Sequence, residues 1–160
     1  MYNIYPESSA QLIGSKAIYE YIHGGRGIVK LEAPSGKSHS YIFVKPTDDS
    51  FPDDVLFVYA RHDDKKQFYV GMVERDKFRL TKHSRFLPDT EIVRGAYYIM
   101  RMALDNELAM TTPMKLYHMG MCGVCGRQLT QSKSLETGIG PKCRKKRYGD
   151  GTAKSTTSIQ

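Results

Sequence analysis

Cys122, Cys125 and Cys143 are the residues in this chain best suited to chemistry, because ionised thiols act as nucleophiles, redox partners and soft metal ligands. Their spacing narrows the choice. Two residues separate Cys122 from Cys125, so both sulfurs can point at one ion, and Gly123 and Gly126 let that backbone turn and offer amides to the sulfurs. Seventeen residues then intervene before Cys143, enough for a short hairpin or loop to return. Three cysteines cannot all pair within one chain. An odd count that includes a C-x-x-C favours metal binding in a reducing compartment over a disulfide framework. A redox pair at Cys122 and Cys125 is the competing reading, but it leaves Cys143 without a role and lacks a βαβ context. A tetrahedral Zn²⁺ site needs a fourth ligand. His118, four residues before Cys122, is the expected one, with His83 or an acid as alternatives. Three thiolates and one imidazole would make a closed, structural site with no position left for a substrate. His23, His39 and His62 stand in separate positions and read as surface histidines.

Four cations and an aromatic follow Cys143 directly: Arg144, Lys145, Lys146, Arg147 and Tyr148. They belong to a wider asymmetry. Residues 1–110 carry 15 Lys/Arg against 15 Asp/Glu, whereas residues 111–160 carry nine against two, so the net charge of +7 lies wholly in the last 50 residues. A cation that neutralises a phosphate releases a counterion, so a few such contacts give steeply salt-dependent binding. Tyr148 can stack on an unpaired base. Arg127 and Lys142, on the two arms of the cysteine motif, extend the expected nucleic-acid surface. The plain alternative is a solvated basic end. No groove-reading motif is present, so the expected contact is non-specific and leaves DNA and RNA open.

Other functions are disfavoured. The chain has no P-loop, no G-x-S-x-G, no H-E-x-x-H, and no glutamate beside a zinc-ligand histidine. The vicinal pairs Asp53-Asp54 and Asp63-Asp64 sit in turns where solvation explains them. A non-enzyme is expected, with no small-molecule substrate. No apolar run approaches the roughly 18–20 residues of a membrane span, and the first ten residues lack the basic and apolar blocks of a secretory signal.

The elements that must carry these residues show up as changes of period. Ser8 and Gln11 suggest a capped helix start, with Ile13, Ala17, Ile18, Tyr21 and Ile22 as its apolar face and Gly24-Gly25 as its stop. Residues 27–33 and 40–45 alternate around the turn at residues 34–37 and predict a hairpin. Residues 55–61 and 67–74 predict a second hairpin, and residues 77–81 a short fifth strand. Pro88 with Asp89 and Glu91 opens a second helix whose face holds Ile92, Ala96, Ile99, Met100, Ala103 and Leu104. Residues 108–115 read as a connector. The expected fold is therefore α+β: a five-stranded antiparallel sheet covered by two helices, with a C-terminal treble-clef-like or ribbon-like zinc module. The expected division is an α+β body over residues 1–110, a zinc module over 111–148 and a flexible tail over 149–160.

The string His118-Met-Gly-Met-Cys122-Gly-Val-Cys125-Gly-Arg-Gln-Leu-Thr130, then Ser134 and Gly138-Ile-Gly-Pro-Lys-Cys143, resembles a small zinc-binding module of uncharacterised function. That module recurs in bacteriophage and mobile-element proteins. Ser35-Gly36-Lys37, Val70-Gly71 and the stretch from Phe78 to Ser84 echo, more loosely, its usual upstream partner. The chain departs from the module at Gln131-Ser132-Lys133, which alters a loop and not the cysteines. The resemblance implies a virus-borne or mobile-element protein working in the host cytoplasm, with no established activity. A second expected class is a protein-interaction factor that binds and inhibits or redirects a host enzyme. Its surface would come from Tyr41, Phe43, Phe57, Tyr59, Phe68 and Tyr69, or from the acidic loop of Asp48, Asp49, Asp53 and Asp54.

Overall fold

A computed structural model describes residues 10–62, 66–130 and 132–148 of the chain. The strands β1 (Ala10–Gln11), β2 (Arg26–Glu32), β3 (Ser38–Val44), β4 (Leu56–Arg61), β5 (Gln67–Glu74), β6 (Lys77–Arg79) and β7 (Lys115–His118) form one sheet in the order β1-β7-β2-β3-β4-β5-β6. Every neighbouring pair is antiparallel. The helices are α1 (Ser15–Ile22), α2 (Glu91–Leu104), α3 (Asn106–Thr111), α4 (Ser132–Thr137) and α5 (Pro141–Tyr148).

This corrects the expected five-stranded sheet with two helices: the sheet has seven strands, and the described residues hold five helices. The five expected strands are the meander β2–β6. The two additional strands were hidden for a physical reason. At two and four residues they are too short to show an alternating pattern, and backbone pairing alone defines them. Ala10 faces His118 and Gln11 faces Tyr117, while the amide of Leu12 donates to the Leu116 carbonyl at 2.8 Å. That pairing claims the segment expected to begin the first helix, so α1 starts only at Ser15, after Gly14. Ser8, the expected cap, lies outside the described residues, as do Asp63-Asp64 and the expected tail over residues 149–160. The second helix starts after Thr90, whose hydroxyl accepts from the Val93 amide, and not at Pro88. A short α3 runs into the expected connector, and Asp105 ahead of it caps it by accepting from the Leu108 amide at 3.1 Å.

Alternation in the meander sends Val29, Leu31, Tyr41, Phe43, Val58 and Ala60 to one face, where they are buried. There they join Ile18 and Ile22 of α1 and Val93, Ala96, Ile99 and Ala103 of α2 in one core. The Tyr41 hydroxyl reaches the Ile92 carbonyl at 2.8 Å, which places α2 over this face. The intervening residues of β4, Phe57 and Tyr59, point the other way and are half-buried. With Tyr69 they form edge-to-face ring contacts at 5.7–6.0 Å on the side away from the helices. Among the described residues, no helix is long and apolar enough to cross a membrane.

The position of β7 decides how the cysteine segment attaches. Pairing of Val29 with His118 and of Leu31 with Leu116 makes the start of that segment part of the body's sheet. The chain therefore enters the cysteine motif from a fixed strand.

Candidate metal centre

From β7 the chain turns through Gly120 and forms a tight knuckle. Met121 bridges Gln128, the Cys122 amide donates to the Arg127 carbonyl at 2.7 Å, and the Gly126 amide donates to the Cys122 carbonyl at 2.9 Å. These bonds place Cys122 and Cys125 on the same turn. Helices α4 and α5 follow, and Pro141 occupies the first position of α5, where its fixed φ and missing amide cost nothing. Cys143 lies in the first turn of that helix. The three sulfurs all fall within 4.8 Å of one another. Tetrahedral bonds of about 2.3 Å to one ion would set such sulfurs about 3.8 Å apart, so the cluster is close to closing on a metal.

The local electrostatics ask for a cation. Burial opposes ionisation of Cys122, yet the amides of Gly140, Cys125 and Val124 directed at its sulfur outweigh that and hold its pKa below the ordinary thiol value. The Gly140 and Val124 amides lie 3.3 and 3.4 Å from the sulfur. Cys143 shifts the other way: burial, then the neighbouring sulfurs of Cys125 and Cys122, push it up to about 12. Three thiolates at this range repel one another unless a positive charge sits among them. A bound metal ion supplies that charge, and the cluster can hold one.

His118 is placed elsewhere. It is fully buried, and the Gly120 amide donates to its Nδ1 at 3.0 Å while its Nε2 faces the Leu135 carbonyl. Nδ1 therefore acts as acceptor and Nε2 carries the proton, which both backbone contacts satisfy. Burial lowers its pKa and favours this neutral form, with the Leu135 carbonyl working in the opposite direction. Among the described residues the ligand group comprises the three cysteines, without His118 and without His83, which is exposed after β6. All three cysteines line a cavity of about 510 Å³.

The expected nucleic-acid residues divide into groups. Arg127 on the knuckle and Lys142, Lys145 and Lys146 on α5 are exposed. Lys142, Lys145 and Lys146 follow the i, i+3, i+4 spacing of one helix face, and Arg127, Lys142 and Lys146 border the cavity beside the cysteines. Arg144 is turned inward and pairs with Glu20 of α1 at 3.1 Å. Arg147 and Tyr148 complete the backbone of α5, with side chains outside the described set. Of the expected surface histidines, His23 is largely covered: its ring stacks on Tyr19 at 3.9 Å and its Nε2 lies 3.2 Å from Asp76.

Residues of the body hold the centre in place, and motif spacing gave no hint of them. Tyr21 of α1 is buried and donates its hydroxyl to the Met121 carbonyl at 2.9 Å, while its ring stacks on His118 at a centroid distance of 5.6 Å. The knuckle packs onto that ring so tightly that side chains are excluded. A Cβ on Gly123 would lie 2.8 Å from Tyr21 Cδ1, and one on Gly138, which also has φ +78°, would lie 2.4 Å from the same atom. Arg26 donates from Nη1 to the Cys125 carbonyl at 3.1 Å, and its amide donates to the Gly123 carbonyl at 2.8 Å. Gly138 in the motif was a signal that something approaches closely there, but the sequence did not say that it was Tyr21.

Residues 117–148 match a family of unknown function, DUF6011. The matched stretch runs from β7 to the end of α5 and so contains all three cysteines, His118 and the exposed lysines. No curated protein and no solved structure matches the chain.

Proposed function

We propose that this chain is a zinc-stapled accessory protein of the kind carried by phages and mobile elements. In this reading it contacts nucleic-acid phosphates through its C-terminal module and catalyses no reaction. Zinc is favoured because the donors are three soft thiolates, one of them receiving two backbone amides, which suits a redox-inert tetrahedral ion. Cys122, Cys125 and Cys143 would hold it, and the bound ion would neutralise the thiolates and cross-link the knuckle to α5. The motif's resemblance to the phage and mobile-element module supports a virus-borne role in the host cytoplasm.

One observation carries the nucleic-acid reading: Cys143 and the exposed Lys142, Lys145 and Lys146 share α5. The bonds that close the metal site would therefore also fix the direction in which three cations point, with Arg127 beside them on the knuckle. Ordering cations before binding reduces the entropy lost when they meet phosphates. The test compares the wild type with Lys145→Ala/Lys146→Ala for binding to a single-stranded oligonucleotide and a duplex across a salt series. The expected result is weaker binding and a salt slope smaller by about one unit per lysine removed. Equal slopes, or no binding at low salt, would sink the reading.

A second reading, a factor that binds and redirects a host protein, is favoured by the half-buried aromatic array of Phe57, Tyr59 and Tyr69 on the sheet face away from α1 and α2. Recovery of one host protein by the wild type, lost in Tyr59→Ala/Tyr69→Ala, would support it. Recovery unchanged by that variant would count against it.

A further inference from the structure

We infer that the fourth position of the metal centre opens onto a cationic cavity and takes an exchangeable small anionic ligand from solution. The inference rests on the zinc reading above and replaces the closed site that the His118 spacing suggested. Both ring nitrogens of His118 are engaged by backbone groups, Nδ1 with the Gly120 amide and Nε2 with the Leu135 carbonyl, so neither has a lone pair left for an ion. Among the described residues no other histidine or carboxylate joins the three cysteines.

The cavity gives the open position its chemistry. Its volume of about 510 Å³ accommodates an inorganic anion or a small thiol, and all three cysteines form part of its wall. Arg127, Lys142 and Lys146 line it, together with the hydroxyl-bearing Thr130 and Ser134. A dication bound by three thiolates carries a net charge of −1, which alone would resist an entering anion. The three neighbouring cations reverse that preference and select an anionic donor. Hydroxyls at Thr130 and Ser134 provide hydrogen-bonding groups for it. Among the described residues no histidine or carboxylate lines the cavity, so none there offers a general base to activate water, and the site is suited to binding and not to hydrolysis. The exchange would be ligand substitution alone: the bond to the entering donor replaces one to a solvent water, which is released, no electron moves, and an entering thiol leaves its proton to the buffer.

The test uses the full-length protein loaded with Co²⁺ in a non-coordinating buffer, with metal content measured separately. Inorganic phosphate and 2-mercaptoethanol are titrated in parallel. A saturable change in the cobalt d–d bands with either probe is the expected result. With mercaptoethanol, the sulfur-to-cobalt charge-transfer intensity should also rise by the increment of a fourth thiolate. The probe that acts at the lower concentration identifies the ligand class. Bands fixed against both probes would reveal an internal fourth ligand and overturn the inference. Failure to bind any metal stoichiometrically would sink the zinc reading itself, whereas metal bound with unresponsive bands sinks only the open position.

Discussion

The meander and the cysteine segment are held together by different means. In the body, Tyr41, Phe43, Val58, Val93 and Ile99 are almost wholly removed from water, and sheet and helices share one continuous apolar core. Among the described residues beyond β7 the buried apolar side chains are few: Leu129 and Ile139, with Met119 at the margin and Cys122 among the sulfurs. Units below about 40 residues rarely bury enough apolar surface to hold a fold and usually need a metal or disulfides. The body is electrically balanced and sustains itself by burial. The end is cationic, carries a cysteine cluster that can hold a metal, and leans on the body's surface. Tyr21, Arg26 and Glu20 provide that surface, so the end is docked on the body and is not a tethered bead.

Metal removal should break this contrast most visibly. Structural zinc contributes about 10–16 kcal/mol of apparent binding energy in small zinc modules, much of which appears as folding energy. Chelation, or Cys143→Ser, should abolish amide protection across α4, α5 and the knuckle while β3, β4 and β5 keep theirs in hydrogen-exchange measurements. Equal loss in both regions would mean that the core does not sustain the body alone. Acid should act in the same direction, because a metal leaving the thiolates is replaced by protons. The raised pKa of Cys143 makes its thiolate the first to take one up as the pH falls, so metal affinity should decline with falling pH.

Gly138→Ala sharpens the contrast at the docking surface. Its Cβ would overlap the Tyr21 ring and the backbone would be held at positive φ, for an expected loss of about 3 kcal/mol. Denaturant unfolding of the metal-loaded protein should show that loss, and a variant as stable as wild type would show that the ring can yield. Tyr21→Phe is milder. It removes the hydroxyl that the part-buried Met121 carbonyl accepts from, at a cost of about 1 kcal/mol, and should lower metal affinity although the residue touches no ligand. Unchanged zinc affinity in a competition titration would separate docking from metal binding.

The smallest effect divides the cations. Arg144→Ala removes a partly exposed ion pair with Glu20 and should cost at most about 1 kcal/mol of stability. Its effect on the salt slope should be smaller than that of Lys146→Ala, which should leave thermal stability unchanged. Identical behaviour of the two variants in both assays would erase the distinction between a docking cation and a binding one.

Much of this was legible in the residues. Strands β2 to β6 declared themselves by period, because each half-buried strand must alternate. The three cysteines declared themselves by spacing, because a two-residue gap brings two sulfurs to one point. What escaped was set by distant partners. Strands β1 and β7 exist only because each lies beside another strand. His118 matched the ligand spacing, but the spacing did not show that its two ring nitrogens meet a carbonyl on α4 and the amide of Gly120.

The sequence by itself therefore determined the neutral meander, the cationic end and the cysteine cluster, because period, charge and short-range spacing are local properties of a chain. Tertiary structure alone decided that β7 threads the motif into the sheet, that Arg144 faces inward while Lys142, Lys145 and Lys146 face out, and that the His118 ring meets the Gly120 amide and the Leu135 carbonyl. Each of those outcomes depends on which group from elsewhere in the chain reaches a given atom first.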